Sequence, residues 1–182
     1  MLLASPTDDS QSAAVTTREA RPEDAPLVHT VYRSSPAYFE AISIPVPTLA
    51  EVTTDLITAA GDPRRHAELV LVDAQAAADV EPKVEDPDTG RLVVGYLDYK
   101  LDYPEAGDAT VNLLLVLPGA QSRGIGGACA RDLERRLVGR SRRMLASIFG
   151  DNPRARRFWE RLGFSFAIDA KPHLDWYAKT LA

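Results

Sequence analysis

The sequence offers little sulfur or imidazole chemistry. It holds one cysteine, Cys129, in 182 residues, so no disulfide can close within the chain. A lone cysteine is most often a small buried hydrophobe. The three histidines, His29, His66 and His173, are scattered and form no metal-ligand spacing with Cys129. No metal is expected. No apolar run approaches the ~18 residues of a membrane span, so no membrane partner is expected. Met1-Leu2-Leu3-Ala4-Ser5 lacks the charged and apolar regions of a signal peptide, and a cytoplasmic location is the expectation. No internal repeat is visible.

What remains is ordinary globular material. Hydrophobic residues make up 45% and charged residues 26%, and a chain of this length builds one packed core without disulfides or metals. Residues 1–14 are small, polar and aperiodic, and are expected to form a flexible tail. A single domain is expected over residues 15–182.

The net charge of −5 conceals an asymmetry. Residues 1–120 carry 20 acidic and 8 basic side chains, whereas residues 121–163 carry 11 arginines and 4 acids. The two parts either meet different partners or shield each other. A basic segment suits a polyanionic ligand and an acidic one a cationic partner. Overall acidity, with no interleaving of aromatic and basic residues, argues against nucleic acid.

Periodicity outlines the elements. A short strand is expected at 15–19. A helix opens at Pro22, where the missing N–H costs nothing. Residues 37–44 form an apolar patch between two breaks. Thr48 caps a second helix, with Glu51 completing a capping box. Strands are expected at 68–73, 92–101 and 109–117, and residues 74–90 read as an exposed loop whose acidic residues are solvated. Helices at 124–138 and 152–162 flank a strand at 144–149, and strands at 164–168 and 176–181 close the chain. Short turns in the middle imply an antiparallel meander and later helical crossovers imply parallel neighbours. The result is a mixed α/β sheet with helices on both faces.

The segment Leu114-Leu115-Val116-Leu117-Pro118-Gly119-Ala120-Gln121-Ser122-Arg123-Gly124-Ile125-Gly126-Gly127 carries the chemistry. A buried strand stops at a proline, and glycines then open a helix. Such a loop gathers backbone N–H groups at the positive end of a helix, which suits a phosphate. Gly124, Gly126 and Gly127 let it approach closely, and Arg123 adds a full charge. The loop lacks the Gly-Lys-Ser/Thr of a Walker A motif. Cys129 stands where the dinucleotide fingerprint needs a third glycine.

Gln121-Ser122-Arg123-Gly124-Ile125-Gly126 resembles motif A, [QR]-x-x-G-x-[GA], of the GNAT superfamily of acyl-CoA N-acyltransferases, and Val116-Leu117-Pro118 stands in register before it. Asn152-Pro153-Arg154-Ala155-Arg156-Arg157-Phe158-Trp159-Glu160-Arg161-Leu162-Gly163-Phe164 resembles its motif B, with every fixed position met. The resemblance implies a GNAT-like mixed sheet of six to seven strands with an antiparallel N-terminal meander and a parallel, splayed central pair. It implies acetyl-CoA as cosubstrate, wedged into the splay. The backbone of Leu114, Leu115 and Val116 would bond the pantetheine arm. The N–H groups of Ser122, Arg123, Gly124, Ile125, Gly126 and Gly127, after Gln121, would hold the pyrophosphate. Asn152, which is also a helix-capping type, would reach the pantetheine, and Ala155, Phe158 and Trp159 would line its other side. Arg154, Arg156, Arg157 and Arg161 are more simply a solvated helix face.

The resemblance further implies N-acetylation of a primary amine by direct attack in a ternary complex, with the Val116 amide as oxyanion donor. The family's motif-B tyrosine is Trp159 here, too weak an acid to protonate a thiolate. The carboxylate that some members place five residues before the motif-B Asn is Ser147. Asp98, expected to share a strand face with Tyr96 and Lys100, is the candidate base, and Tyr177 or solvent the candidate acid. His173 is expected to be structural. Tyr38, Phe39 and Ile42 are candidate walls of an acceptor pocket, and the acidic first two-thirds points to a cationic acceptor. A monomer or homodimer is expected. A catalytically silent acyl-CoA-binding sensor of the same fold is the alternative, favoured by the missing Tyr and Glu.

Overall fold

The computed structural model describes residues 15–171 and 174–181; the expected tail and His173 lie outside them. Among the described residues, seven strands form one sheet: β1 (Thr16–Glu19), β2 (Arg65–Val72), β3 (Leu92–Leu101), β4 (Asp108–Val116), β5 (Arg143–Phe149), β6 (Ser165–Lys171) and β7 (Leu174–Thr180), in the order β1-β2-β3-β4-β5-β7-β6. The first four pair antiparallel and β4 pairs parallel with β5. β7 inserts between β5 and β6, antiparallel to both.

Five α-helices among the described residues flank the sheet: α1 (Ala25–Arg33), α2 (Pro36–Ala41), α3 (Leu49–Gly61), α4 (Ile125–Leu137) and α5 (Pro153–Arg161). Alternation along β3 separates the two faces. Tyr96 meets Tyr32 of α1 edge-on, and Asp98 is bonded to Arg65, which forks onto Asp55 of α3. Tyr99, pointing the other way, lies with Glu68 against Arg136 of α4. Gly126 of α4 touches Phe158 of α5. The helices α1 and α3 therefore cover one face, and α4 and α5 the other.

Local chemistry accounts for the helices. Ile125, Cys129, Leu133 and Leu137 step by four along α4 and are all buried. Burial pushes the Cys129 thiol up to about 12. The capping box forms as expected: Thr48 Oγ1 accepts from the Glu51 N–H, and Glu51 Oε2 accepts from the Thr48 N–H. Gly163 takes a left-handed φ of 86° just past α5.

Three expectations need correction. Residues 37–44 hold a short helix, α2, opened by Pro36 at its first position. β2 begins at Arg65 rather than at residue 68, because the Arg65 and His66 backbone pairs with Lys100 and Tyr99. The 74–90 segment is not wholly exposed. Ala77 and Val80 join the core, and Asp86 is fully buried, held by Arg18 and Thr89.

The relation of β4 to β5 positions the site. They pair only from Asp108↔Arg143 to Val111↔Ala146, although β4 continues to Val116 and β5 to Phe149. Beyond that pair they part. The β3–β4 register supplies the cause: Tyr99 faces Val111 and Asp98 faces Leu113, so Asn112 is an extra residue, a β-bulge. A bulge bends its strand and re-aims a side chain. Gly95 holds the far end of β4 against β3. A Cβ there would lie 2.4 Å from the Leu115 carbonyl oxygen.

Candidate active site

The gap between β4 and β5 presents backbone groups of one strand. The Leu117 N–H donates to the Val94 carbonyl at 2.8 Å. Antiparallel neighbours alternate in the direction of their backbone groups, so Leu115 also turns toward β3. The N–H and C=O groups of Leu114 and Val116 turn into the gap. Leu115 was expected to serve a ligand with its backbone; that backbone is committed to the sheet instead. Asn112, Leu113 and Leu114 are only half-buried in the middle of a seven-stranded sheet, which the parting of the strands explains.

The gap leads to the start of α4. Ser122 and Gly124 both take left-handed φ values, 62° and 78°. These reverse the chain so that the helix begins with Gly124 as N-cap and no side chain capping it. The contrast with the other helices is informative. Thr48 caps α3 and Asn152 caps α5 with their own oxygens. The N–H groups of Ile125, Gly126 and Gly127 have no partner among the described residues. A Cβ on Gly124 would meet nothing within 4 Å, so the approach is open. Orphan donors at a helix start attract an anion.

Several side chains expected at this loop have defined partners. Gln121 donates through Nε2 to the Val116 carbonyl at 2.8 Å and accepts through Oε1 from Arg154 at 2.6 Å, joining the end of β4 to the first turn of α5. Arg123 forks onto Asp79 at 2.7 and 2.9 Å. Its charge is shared with the 74–90 segment instead of standing alone beside the loop. Arg136–Glu68 and Arg143–Asp108 likewise join the basic segment to the acidic one. The asymmetry of charge is in part mutual shielding.

Across from the loop stands α5. Asn152 Oδ1 accepts from the Ala155 N–H at 3.0 Å, while its NH2 has no partner among the described residues. Ala155 and Phe158 are half-buried, and the Phe158 ring packs on Gly126. Trp159 is 5% exposed, wedged between Phe158 and Phe164. Its indole belongs to the core.

The acid and base candidates are further from open space than their residue types suggest. Asp98 is 2% exposed, with Oδ2 bonded to Arg65 at 2.8 Å and Oδ1 to Asn112 Nδ2 at 2.6 Å. Burial raises its carboxyl above the usual range, against those hydrogen bonds. Asp98 therefore meets the gap only through Asn112. Tyr177 is buried on β7, in register with Ala146 of the last β4–β5 pair. It shares a face with Lys179, which bonds to Glu134 of α4, so its ring lies on the α4–α5 side.

Of the expected acceptor walls, Phe39 is core, packed on Tyr32 at 5.2 Å. Tyr38 is half-buried beside it, with its hydroxyl pushed up to about 12 by burial. Gly150, with φ of 63°, brings the β5–α5 connection under α2. A Cβ there would lie 2.8 Å from the Ala41 carbonyl oxygen. Asn112, Arg65, Gly95 and Gly150 all shape the site and were not singled out from the sequence. Their roles depend on partners distant in the chain.

Comparison with known proteins agrees with this geometry. The sequence model of the Acetyltransferase (GNAT) family matches residues 52–164. No curated protein sequence matches the chain. Among solved structures, an acetyltransferase from Thermus thermophilus is 37% identical, covering 93% of this chain and 99% of its own, with a TM-score of 0.80. The aminoglycoside acetyltransferase AAC(6')-Ib in complex with coenzyme A is 17% identical over 92% of this chain and 95% of its own, with a TM-score of 0.69. A spermidine N-acetyltransferase SpeG chimera from Vibrio cholerae and hSSAT is 15% identical over 91% of this chain and 95% of its own, with a TM-score of 0.65. A strand that leaves its neighbour beside an uncapped, glycine-opened helix thus occurs in a chain whose sequence matches one family across most of its length: the protein belongs to the GNAT acetyltransferase family.

Proposed function

We propose that the protein is an acetyl-CoA-dependent N-acetyltransferase that acetylates a primary amine by direct attack in a ternary complex. The observation that carries this reading is the run of backbone donors, from Leu114 and Val116 to the bare start of α4, that have no partner among the described residues. Bound acetyl-CoA would supply the thioester whose carbonyl carbon the amine attacks. The N–H groups of residues 122–127 hold its diphosphate. The Leu114 backbone and the remaining lone pair of the Val116 carbonyl, which also accepts from Gln121, bond the pantetheine arm as an added strand. The NH2 of Asn152, without a partner among the described residues, reaches the same arm. The Val116 N–H, turned into the gap, is the donor placed for a developing oxyanion.

An alkylamine near pKa 10 is almost wholly protonated at neutral pH and must lose a proton before attack. Asp98 lies behind Asn112, out of reach of the acceptor nitrogen, so water at the mouth carries that proton away. Thiolate is a good leaving group near neutral pH, which lowers the demand on a protein acid; Tyr177 is the hydroxyl beside the last β4–β5 pair. The acceptor enters from the α1–α3 side, where the acidic part of the chain lies, and a cationic amine fits that field. Two structural neighbours are named for cationic substrates, an aminoglycoside and spermidine.

The test is thiol release from acetyl-CoA with spermidine, ribostamycin, a lysine-containing peptide and neutral or anionic amines. Release with the cationic probes is expected. Release with anionic or neutral amines alone would contradict the cationic assignment. The burial of Trp159 and the sealing of Asp98 favour a second reading, a silent acyl-CoA sensor. Tight CoA binding with no release for any amine is its signature.

A further inference from the structure

Asn112 is the residue that the β3–β4 register skips, the first past the Val111↔Ala146 pair that ends the β4–β5 ladder. Its side chain turns to the α1–α3 face, where Nδ2 donates to Asp98 at 2.6 Å. We propose that Asn112 positions the acceptor amine, its side-chain carbonyl oxygen receiving a hydrogen bond from the incoming nitrogen. This rests on the N-acetyltransferase reading.

The orientation of the amide follows from its partner. An ionised carboxylate only accepts hydrogen bonds, so the NH2 group must face Asp98 and the carbonyl oxygen must face away. Asp98 is held in place by the Arg65 guanidinium, whose Nε lies at 2.8 Å and whose charge favours the carboxylate form against the upward push of burial. Arg65 is in turn fixed by a bidentate pair with Asp55 of α3, at 2.7 and 2.8 Å. The four side chains form one chain of charge-assisted hydrogen bonds running from α3 to the head of the gap. Turning the amide over would set its oxygen against a buried carboxylate. The exposed end of this chain is the Asn112 Oδ1, to which no described residue donates.

The chemistry suits an amine that must react neutral. A carboxylate at this point would stabilise the ammonium form and hold the proton in place. An amide oxygen accepts one N–H without a net charge and leaves the nitrogen lone pair directed elsewhere. Asp98 contributes orientation, one residue removed from the substrate. The bulge explains why the side chain is available at all. Regular alternation would fix the face it points to by its place in the ladder, whereas the skipped residue bends the strand and re-aims the side chain at the point where β5 withdraws.

The experiment compares wild type with Asn112→Ala and with Asn112→Leu, which keeps the volume. Spermidine is titrated into CoA-loaded protein by calorimetry, and KM is measured separately for spermidine and acetyl-CoA. Both variants are expected to weaken spermidine binding and raise its KM about tenfold, the loss of one hydrogen bond to the substrate. CoA affinity stays near wild type, whereas the melting temperature falls somewhat in both variants because the buried Asp98 Oδ1 loses its partner. Binding is therefore measured well below the melting temperature of each variant. Unchanged spermidine binding and KM in both variants would overturn the role of Asn112 while leaving the transferase reading intact. Asn112-dependent spermidine binding without thiol release would support the role and remove the transferase reading. Wild-type protein that neither binds nor acetylates spermidine, or any amine of the panel, would overturn both.

Discussion

The Phe158 ring lies 3.3 Å from the point that a Cβ on Gly126 would occupy. The first turn of α4 and the middle of α5 are therefore as close as a glycine allows. Gly124, two residues earlier, is the opposite case: its surroundings are open, and only its φ of 78° restricts it.

These two glycines separate packing from ligand chemistry. Gly126→Ala requires the ring to yield by a few tenths of an ångström and should lower CoA affinity modestly. Gly124→Asp has room for its side chain but sets a carboxylate where the proposed site would hold a diphosphate, and should weaken CoA binding roughly a hundredfold. Calorimetry with CoA, alongside a thermal melt to confirm folding, checks both. Equal affinities for wild type and Gly124→Asp would remove the loop from the cofactor site.

Gly95 makes a different prediction. A Cβ there collides with the backbone of Leu115, which has no side-chain freedom to escape. Gly95→Ala should push the end of β4 off β3, cost about 1–3 kcal/mol of stability, and impair CoA binding through a displaced Val116. Denaturant unfolding and CoA titration of the variant measure the two effects.

Acid should act through Asp86. The Arg18 guanidinium, helped by Thr89, holds this carboxyl down to about 2, below its ordinary 3.8. A depressed carboxylate contributes stability that is fully present above the unfolded pKa and is lost as pH falls through the folded one. That contribution should fade between about pH 4 and 2. Asp86→Asn should be less stable at neutral pH and lose less on acidification over that window. Unfolding midpoints recorded against pH for both proteins show whether the curves converge.

Cys129 should be chemically silent. The residue is 1% exposed and its thiol is pushed up to about 12 by burial, so little thiolate exists at neutral pH. Alkylating reagent should leave the folded protein unmodified and its activity intact. Mass spectrometry after treatment, with and without denaturant, detects any reaction.

The sequence displayed some of these features and concealed others. Helices α4 and α5 were legible because their apolar residues recur at helical spacing and their glycines stand at positions that need them. The uncapped loop before α4 was legible because a strand, a proline and a glycine-opened helix are contiguous. The bulge at Asn112 was not. It lies in a run, Asn112 to Val116, whose apolar residues fit either face, so no alternation marks the skipped residue. Helix α2 has six residues, too few to show a period. Asp86 read as a solvated loop acid because the arginine that buries it is 68 positions away. Gly95 and Gly150 are demanded by backbone that approaches from β4 and α2, and local sequence carries no trace of such a neighbour.

The position of the bound cofactor decides between right and wrong. Backbone amide resonances followed by NMR during titration with CoA report this residue by residue. The largest shifts are predicted at Leu114, Val116 and residues 122–127, with Asn152 joining through its side-chain NH2. Shifts confined to other parts of the chain, with the amides of the α4 start unmoved at saturation, would contradict it.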